Sequence, residues 1–268
     1  MKKVTALIGT QTKRNTYKAL KEFEDNLLKS GEIDFESVFF SDYDIEFCRG
    51  CKECFDRGGE FCPIDDDLQI LLDKIEDSDG IVFATPSYAF QAPARMKNFL
   101  DRTAYMNHRP RYFDQAFTVI VTYGVFGGSD IVKYLSTAGE NLGFHSSKGC
   151  SVKTLEPMTE QREKQLKKEV EEASDRFYRE LTLAEPPTPS FMRLALFRLT
   201  RTGVKDLDQT YRDYQYYSDK GWFDSDYYYP VSLGVSKKTV GYLSDFIGKQ
   251  MIKRGKWLGV DKTPSEDA

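Results

Sequence analysis

Four cysteines lie close together within residues 48–63, in the stretch "CRGCKECFDRGGEFCP". They are Cys48, Cys51, Cys54 and Cys62, with the spacing C-x2-C-x2-C-x7-C and a proline directly after the last. Thiolates three residues apart can each bind one iron of an iron-sulfur cubane, and a ligand followed by proline is typical of bacterial ferredoxin motifs. Structural zinc sites usually use two C-x-x-C pairs separated by a longer span. The spacing therefore favours a 4Fe-4S cluster over zinc, with unliganded thiols as the remaining interpretation.

A second candidate for chemistry is the turn "GTQTKRNT" at residues 9–16. It offers small polar side chains, two neighbouring cations and the backbone N–H groups of a helix that begins there, which together suit a phosphate group. The donors are the hydroxyls of Thr10, Thr12 and Thr16 and the amide of Asn15, and the cations are Lys13 and Arg14. The turn matches neither the P-loop nor the G-x-G-x-x-G pattern. A simple helix N-cap is an equally good explanation of these residues.

Two later turns have features of a binding site for a flat polar ring. In "TPSYAFQAPARMKNFLDR" (85–102), Pro86 fixes the chain and the turn can present backbone amides, with Tyr88 or Phe90 covering one face of the ring. In "TYGVFGGSD" (122–130), glycines allow a ligand to approach the backbone closely, although they would also suit a plain turn. These glycines are Gly124, Gly127 and Gly128.

The elements that must position these turns alternate regularly over the first ~180 residues. Short apolar strands near residues 4–9, 80–85 and 116–124 are each followed by an amphipathic helix. Five such units predict an α/β fold with a doubly wound, five-stranded parallel sheet. Ligands bind at the carboxyl ends of the strands in such a sheet. Because all three turns follow strands, we expect them to form one site.

The order of these segments resembles a known family. The chain contains in sequence "GTQTKRNT", the cysteine run followed by "PIDDDLQ", "SDGIVFATPSYAFQAPARMKNFLDR" and "YGVFGGSD". These segments are similar to the NADPH-dependent FMN reductase group of the flavodoxin-like superfamily, and more narrowly to its iron-sulfur flavoprotein branch. The resemblance covers roughly residues 1–180. It implies strand order 2-1-3-4-5, FMN as cofactor, NAD(P)H as electron donor and a 4Fe-4S cluster on the four cysteines.

The same resemblance implies which residues would bind FMN. They are Thr10, Thr12, Lys13, Asn15 and Thr16 around the phosphate, Pro86, Ser87, Tyr88, Ala89 and Phe90 along the isoalloxazine edge, and Tyr123, Gly124, Gly127 and Gly128 on its other side. Family members often have Ser-Pro-Arg where this chain has Thr10-Gln11-Thr12. The usual phosphate-binding arginine is therefore missing, and Lys13 or Arg14 would replace it. No side chain is predicted to be catalytic, because the chemistry belongs to the cofactor.

A proline-rich linker, "AEPPTPS" at residues 184–190, divides the chain. We predict an FMN-binding domain at 1–183 and a mainly helical, aromatic-rich C-terminal extension at 191–268. Three helices are expected in it, over "FMRLALFRLTRTG", "VKDLDQTYRDYQYYSDKGW" and "TVGYLSDFIGKQMIKRGKW". The clustered tyrosines are expected to serve packing or an interface rather than ligand stacking. We expect this extension to pack across a neighbouring subunit in a homodimer or homotetramer.

Three further features are predicted to be structural. Cys150 stands alone in a strand-like run and is expected to be a small apolar core residue. The aspartates at 65–67 are explained by the favourable charge interaction at a helix start. Lys97 and Asp101 are four residues apart and are expected to form a surface pair.

Composition limits the class of protein. The net charge is −4, which gives no general attraction to nucleic acid or to an anionic membrane. No basic segment followed by an apolar stretch opens the sequence, and no run approaches the ~20 apolar residues that span a bilayer. We therefore expect a cytoplasmic protein, in which clustered cysteines stay reduced.

The function predicted from the sequence is FMN-dependent oxidoreduction. Electrons would pass from NAD(P)H, or through a cluster, to a quinone, a flavin or another small acceptor, which could also be a redox carrier protein. Two alternatives stay open. One is a non-enzymatic flavoprotein that shuttles electrons between partner proteins, and the other is a redox sensor based on the cysteines.

Overall fold

The computed structural model describes residues 1–255. Strands and helices alternate through the first part of the chain, and helices make up the last part. The strands are β1 (Lys2–Ile8), β2 (Ile33–Phe39), β3 (Gly80–Pro86), β4 (Ala116–Tyr123), β5 (His145–Ser146) and β6 (Cys150–Lys153). The helices are α1 (Asn15–Ser30), α2 (Glu53–Asp56), α3 (Leu68–Glu76), α4 (Ala94–Arg102), α5 (Gly128–Leu142), α6 (Glu160–Leu181), α7 (Phe191–Val204), α8 (Arg212–Asp219) and α9 (Val235–Lys253).

The strands form one parallel sheet in the order β2-β1-β3-β4-β5, with β6 also paired to β4. The predicted order 2-1-3-4-5 is confirmed. The fifth position is occupied by two short strands, since Ala116 pairs with His145 and Ile120 pairs with Cys150. Between them Gly149 passes so close to β4 that an added Cβ would lie 2.4 Å from the Val119 carbonyl oxygen. A residue with a side chain at position 149 would push this segment away from β4.

The central strands are apolar because helices cover both faces of the sheet. On one face, α1 packs against β3 and β4, and α6 packs against β4 and β6. The buried side of α1 is formed by Ala19, Leu20, Phe23 and Leu27, and that of α6 by Val170, Ala173, Phe177 and Leu181. Cys150 belongs to the same core, as predicted, and burial raises the pKa of its thiol to about 12. It is therefore an inert core thiol.

The chain divides into two compact units. The first consists of Met1–Cys51 and Cys62–Pro186, and the second of Lys52–Phe61 with the chain from Pro187 onward. The second unit has an aromatic core in which Trp222 packs edge-on to Tyr217, and its indole N–H donates to the Tyr228 carbonyl at 2.9 Å. The tyrosines of this part thus contribute to packing. The division at residues 183 and 190 that the sequence suggests stays a prediction.

The C-terminal helices differ in extent from the sequence prediction. Residues 205–211 were expected to be helical, but α8 begins only at Arg212. The Asp208 side chain accepts hydrogen bonds from the Thr210 backbone at 2.9 Å and from its hydroxyl at 2.7 Å, which favours a turn over a helix. The final part of the predicted third helix, and of the extension to residue 268, lies outside the described residues. Within 1–255, none of the helices combines the length and apolar character needed to cross a bilayer.

Candidate functional site

Three turns meet at the carboxyl edge of the sheet because they follow adjacent strands β1, β3 and β4. The hydroxyls of Thr16 and Thr122 lie 2.7 Å apart and are buried, which joins the first turn to the third. The Ser87 N–H donates to the Thr122 carbonyl at 2.7 Å, which joins the second turn to the third. The arrangement expected from the sequence is therefore present, with residues from three separate parts of the chain in contact.

The first turn leaves donors available at the start of α1. The preceding residue, Arg14, caps no N–H group with its side chain, and the first helical turn contains no acidic residue. The hydroxyl of Thr10 accepts from the Thr12 backbone at 3.3 Å, so the two threonines form one small polar rim. Asn15 instead donates to the Glu156 carboxylate at 3.1 Å and is tied to the loop after β6. An anion fits the threonine rim and the helix N-terminus.

A cation that the sequence analysis missed lies beside the first turn. Lys13 places its ammonium over the ring of Tyr17, 5.4 Å from the centroid. Arg95, in the first turn of α4, lies beside the first turn, because its Nε and Nη2 are 3.2 and 2.9 Å from the Gln11 side-chain oxygen once that amide is oriented to match its neighbours. The sequence did contain a clue to this contact. Arg95 comes just after the turn that follows β3, and β3 lies next to β1 in the sheet.

Close packing of the first and second turns depends on one glycine. An added Cβ at Gly9 would lie 2.7 Å from the hydroxyl oxygen of Thr85, which is fully buried. Such a distance is below normal contact, so a side chain at residue 9 would separate the two turns. Gly9 is thus required by packing at this edge.

The second turn is a tight hairpin turn with an unusual backbone. Tyr88 and Gln91 exchange two backbone hydrogen bonds of 2.9 Å each, and Ala89 and Phe90 between them have φ of 47° and 62°. Positive φ at both central residues defines a type I′ turn, which normally contains asparagine or glycine. Non-glycine residues in this conformation cost about 1 to 3 kcal/mol each and concentrate at functional sites. The side chains of Tyr88 and Phe90 are exposed.

The third turn contributes an aromatic ring and an open space. Phe126 stacks on Phe90, with ring centroids 4.7 Å apart and planes 10° apart. Gly128 is enclosed, since a Cβ there would lie 2.4 Å from the Tyr123 ring, whereas a Cβ at Gly124 would meet only Leu155, at 4.0 Å. Phe126 was not predicted as a site residue. The sequence clue was that Phe126 is a large apolar residue in a glycine-rich turn at the end of a strand.

The segment that leads into the cysteines is held by α4. The Asn98 side chain accepts from the Cys48 N–H at 3.2 Å and donates to the carbonyls of Glu46 at 3.0 Å and Ile45 at 3.3 Å. Asn98 is buried, although an asparagine in a helix usually faces solvent. One side chain of α4 therefore holds the backbone of residues 45–48 in place.

The end of the cysteine run is held by a buried ion pair. Arg102 Nη1 lies 2.5 Å from Asp66 Oδ2, with the two side chains 2% and 3% exposed, and Arg102 Nη2 lies 3.8 Å from the Cys62 sulfur. Burial by itself would raise the pKa of Asp66, but hydrogen bonds from Arg102 and from the Leu68 and Glu46 backbone lower it below the usual value. Asp66 thus stabilises the start of α3, as expected, and also neutralises a buried arginine. The pair on the exposed side of the same helix, Lys97 with Asp101, is a surface pair as predicted.

The predicted cluster ligands are not gathered in the structure. None of these four cysteines is in a disulfide bond; Cys48, Cys51 and Cys62 belong to the first unit, and Cys54 lies in the segment that groups with the second. Among residues 1–255, no three or more histidine, cysteine, aspartate or glutamate side chains are placed to hold one metal ion. The chemistry of the donor set suits iron, but this arrangement does not form a ligand shell.

Comparison with known proteins decides the family. The model of the NADPH-dependent FMN reductase family matches residues 2–154, which is more than half of the chain and contains all three turns and the cysteines. The protein belongs to this family. Among its relatives, an iron-sulfur flavoprotein of Archaeoglobus fulgidus is 33% identical over 129 residues, covering 47% of this chain and 61% of the relative. The branch that the sequence resembles is therefore also supported by named relatives.

A second relative supports the same branch, and a solved structure supports the fold. The iron-sulfur flavoprotein of Methanosarcina thermophila is 28% identical over 107 residues, 40% of this chain and 55% of the relative. The chain thus spans about three fifths or less of these curated relatives' lengths. RosB, solved with bound 8-demethyl-8-formylriboflavin-5'-phosphate, has a TM-score of 0.57 at 16% identity, over 88% of this chain and 92% of RosB. At that identity the likeness shows the flavodoxin-like fold.

Proposed function

We propose that this member of the FMN reductase family binds one FMN where the three turns meet and acts as an oxidoreductase that takes electrons from NAD(P)H. The observation that carries the proposal is the convergence of the turns after β1, β3 and β4, joined by the Thr16–Thr122 hydrogen bond and the Phe90–Phe126 stack. The match of the family model to residues 2–154 supports the cofactor.

The phosphate end of FMN fits the first turn. The hydroxyls of Thr10 and Thr12 and the N–H groups at the start of α1 offer donors without a nearby acidic residue in the helix. Arg95 supplies the positive charge, since Lys13 covers the Tyr17 ring instead. These residues would bind and orient the phosphate, which makes them positioning groups.

The ring end fits the second and third turns. The strained turn at Ala89 and Phe90 holds its backbone in one conformation and presents polar groups, together with Pro86 and Ser87 at the end of β3. The open space beside Gly124 is where a flat ring can approach the backbone of the third turn. Tyr88, Phe90 and Phe126 are exposed aromatic residues that would exclude water from one side of the ring.

The chemistry is divided between cofactor and protein. Bound FMN supplies a ring that accepts a hydride from NAD(P)H and passes electrons to an acceptor. The protein's residues would bind and orient FMN and shield its ring from water. No side chain is assigned as an acid or base. The acceptor in this proposal is a quinone, a flavin or another small molecule of similar flatness, because the aromatic residues at the mouth favour flat apolar groups.

Substitution of Arg95 tests the proposal. We expect Arg95→Met to raise the dissociation constant for FMN about tenfold, because one charge-assisted contact with a phosphate is lost. Riboflavin, which has no phosphate, should bind equally to both proteins. The measurement is flavin fluorescence during titration, with NAD(P)H oxidation followed at increasing FMN, where half-saturation should shift by the same factor.

The matched control is Lys13→Met, which removes a cation of the first turn that covers Tyr17. It should change FMN affinity by less than about twofold. If FMN does not bind, the proposed site is wrong. If FMN binds but NAD(P)H is not oxidised with any acceptor, the protein is a carrier rather than an enzyme.

A cluster on the four cysteines is a second proposal. It is supported by the spacing of Cys48, Cys51, Cys54 and Cys62 and by relatives named iron-sulfur flavoproteins. A single chain bearing a 4Fe-4S cluster would contain about four iron and four sulfide ions after purification without oxygen. The variant Cys51→Ser should lose most of this iron, whereas Cys150→Ser, which removes a core thiol, should keep it. Less than about one iron per chain would reject the cluster.

A further inference from the structure

A groove lies between α4 and α5 of the first unit. It has a volume of about 440 Å³, within the usual range for sites that bind small molecules, roughly 300 to 1,000 Å³. Its apolar lining consists of Leu100, Ala104, Ala138 and Leu142. Polar side chains line the rest. An apolar lining with a few polar groups is the usual composition of a ligand site, so the groove is a candidate for a small molecule.

One end of the groove lies beside the proposed flavin site. The third turn leads directly into α5 at Gly128, and Asp130 in the first turn of this helix lines the groove. Leu142, the last residue of α5, lines its other end. Since a helix rises 1.5 Å per residue, the lining extends over about 18 Å. A ligand in the groove would therefore reach from the mouth of the flavin site to the far end of α5.

The two helices run in the same direction along the groove, because both return from the carboxyl edge of a parallel sheet. Lys97 of α4 and Tyr134 of α5 are close enough to interact electrostatically, which aligns the two helices near their first turns. Asp101 lies one turn further along α4. At the far end, Asn107 in the short helix after α4 and Asn141 in α5 both line the groove. The polar groups thus follow one another in a defined order.

This order matches the successive parts of a nicotinamide dinucleotide. Asp130, next to the third turn, offers acceptors for the hydroxyls of the nicotinamide ribose. Lys133, one turn further, offers positive charge for the pyrophosphate. Asp101 offers an acceptor for the adenosine ribose. The amides of Asn107 and Asn141 offer both donors and acceptors for the edge of adenine.

The two carboxylates of the groove are compatible with an anionic ligand. Lys97 pairs with Oδ1 of Asp101, which neutralises this side chain and leaves Oδ2 for a hydroxyl group. Asp130 lies in the first turn of α5, where the helix dipole offsets a negative charge. A carboxylate accepts hydrogen bonds from ribose hydroxyls but repels a phosphate at the 2′ position. The groove therefore suits NADH better than NADPH.

We propose that the groove between α4 and α5 binds the ADP-ribose half of NADH and directs its nicotinamide ring to the flavin site. Lys133 and Asn141 are positioning residues, since they hold the donor without touching the reacting atoms. Asp101 sets the preference for NADH over NADPH, which would distinguish this chain from the donor for which its family is named. The inference rests on the proposed use of NAD(P)H as electron donor.

Calorimetry with ADP-ribose tests the groove without the flavin. We expect ADP-ribose to bind the flavin-free protein, and Lys133→Met and Asn141→Leu each to raise its dissociation constant about tenfold, because each loses a hydrogen bond to the ligand. The matched control is Lys148→Met, which removes an exposed lysine outside this groove. It should change the dissociation constant by less than about twofold. Circular dichroism and thermal unfolding check that all variants are folded.

Kinetics with a truncated donor separates the groove from the reaction. The KM for NADH should rise about tenfold in Lys133→Met and in Asn141→Leu. Dihydronicotinamide riboside lacks the pyrophosphate and the adenosine, so its KM and kcat in these variants should stay within about twofold of wild type. Asp101→Asn should lower the ratio of kcat/KM for NADH to kcat/KM for NADPH at least about tenfold, because the group that repels the 2′-phosphate is removed.

Two results would overturn the inference and leave the proposed function intact. One is ADP-ribose that does not bind, or that binds wild type and both groove variants equally. The other is NADH oxidation with the same KM in these three proteins. A wild type that prefers NADPH would reject the role of Asp101. If FMN does not bind, or if neither NADH nor dihydronicotinamide riboside is oxidised, the proposed function fails, and calorimetry with ADP-ribose still decides whether the groove binds this ligand.

Discussion

Replacing Asp66 with asparagine is expected to lower the free energy of unfolding by about 3 to 5 kcal/mol. The side chains of Asp66 and Arg102 are 3% and 2% exposed, so the substitution leaves a buried guanidinium without its counter-charge. Asp66 also accepts the Glu46 N–H at 2.9 Å, which connects the pair to the segment before the cysteines. Urea unfolding near neutral pH, followed by circular dichroism, measures the effect.

The same helix provides the control. Lys97 and Asp101 form an ion pair on the exposed side of α4, with side chains 51% and 46% exposed. Lys97→Met should change the free energy of unfolding by less than about 1 kcal/mol, because exposed pairs contribute little. Equal losses for Asp66→Asn and Lys97→Met would contradict the assignment of Asp66 and Arg102 as a buried pair.

The pH dependence of stability follows from the same pair. The pKa of Asp66 is lower in the folded protein than in the unfolded chain. Its contribution to stability is therefore fully present above the unfolded value, about 4, and is lost as the pH falls through the folded value. Wild type should lose stability over this acid range more steeply than Asp66→Asn, which has no carboxyl group to protonate.

Replacing Gly124 with valine is expected to raise the dissociation constant for FMN at least about 100-fold while leaving the fold intact. A Cβ at residue 124 meets only Leu155, at 4.0 Å, so the protein itself accommodates the side chain. Valine would instead occupy the open space where the ring is proposed to approach the third turn. Fluorescence titration with FMN measures affinity, and thermal unfolding without flavin measures stability.

Gly234 is the control, because a Cβ there also meets open space but in the second unit. Gly234→Val should bind FMN within about twofold of wild type. Should Gly124→Val bind FMN normally and remain folded, the third turn does not line the cofactor. Should it unfold, Gly124 is required by the packing of the third turn itself.

The sequence was sufficient to predict features that depend on local pattern and on general rules of topology. Apolar strands followed by amphipathic helices led to the parallel sheet, and the rule that ligands bind at carboxyl ends placed the three turns together. The lone Cys150 was recognisable as a core residue because it stood in a strand-like run. Each of these inferences needed only residues that are neighbours in the chain.

The features that were missed depend on contacts between distant residues. Arg95 lies beside Gln11, Asn98 binds the backbone of Cys48, and Arg102 pairs with Asp66. All three side chains project from α4, and nothing in its sequence distinguishes buried polar residues from surface ones. From the sequence alone, asparagine and arginine at such positions are expected to face solvent. Their burial becomes evident only when the loops that they contact are placed against the helix.

The length of α8 shows a second limit of local pattern. Residues 205–211 have helical spacing of apolar groups, yet Asp208 and Thr210 bond to each other and favour a turn. Competition between side-chain and helix hydrogen bonds is decided by small free-energy differences. Spacing alone does not reveal which one prevails.

The crystal structure of the protein bound to FMN tests the central claim most directly. One FMN per chain is expected, with its phosphate against Thr10, Thr12 and the start of α1, and its ring between the turn at residues 86–90 and the turn at residues 123–128. An FMN bound elsewhere on the protein, or contacting only one of the three turns, would contradict the account.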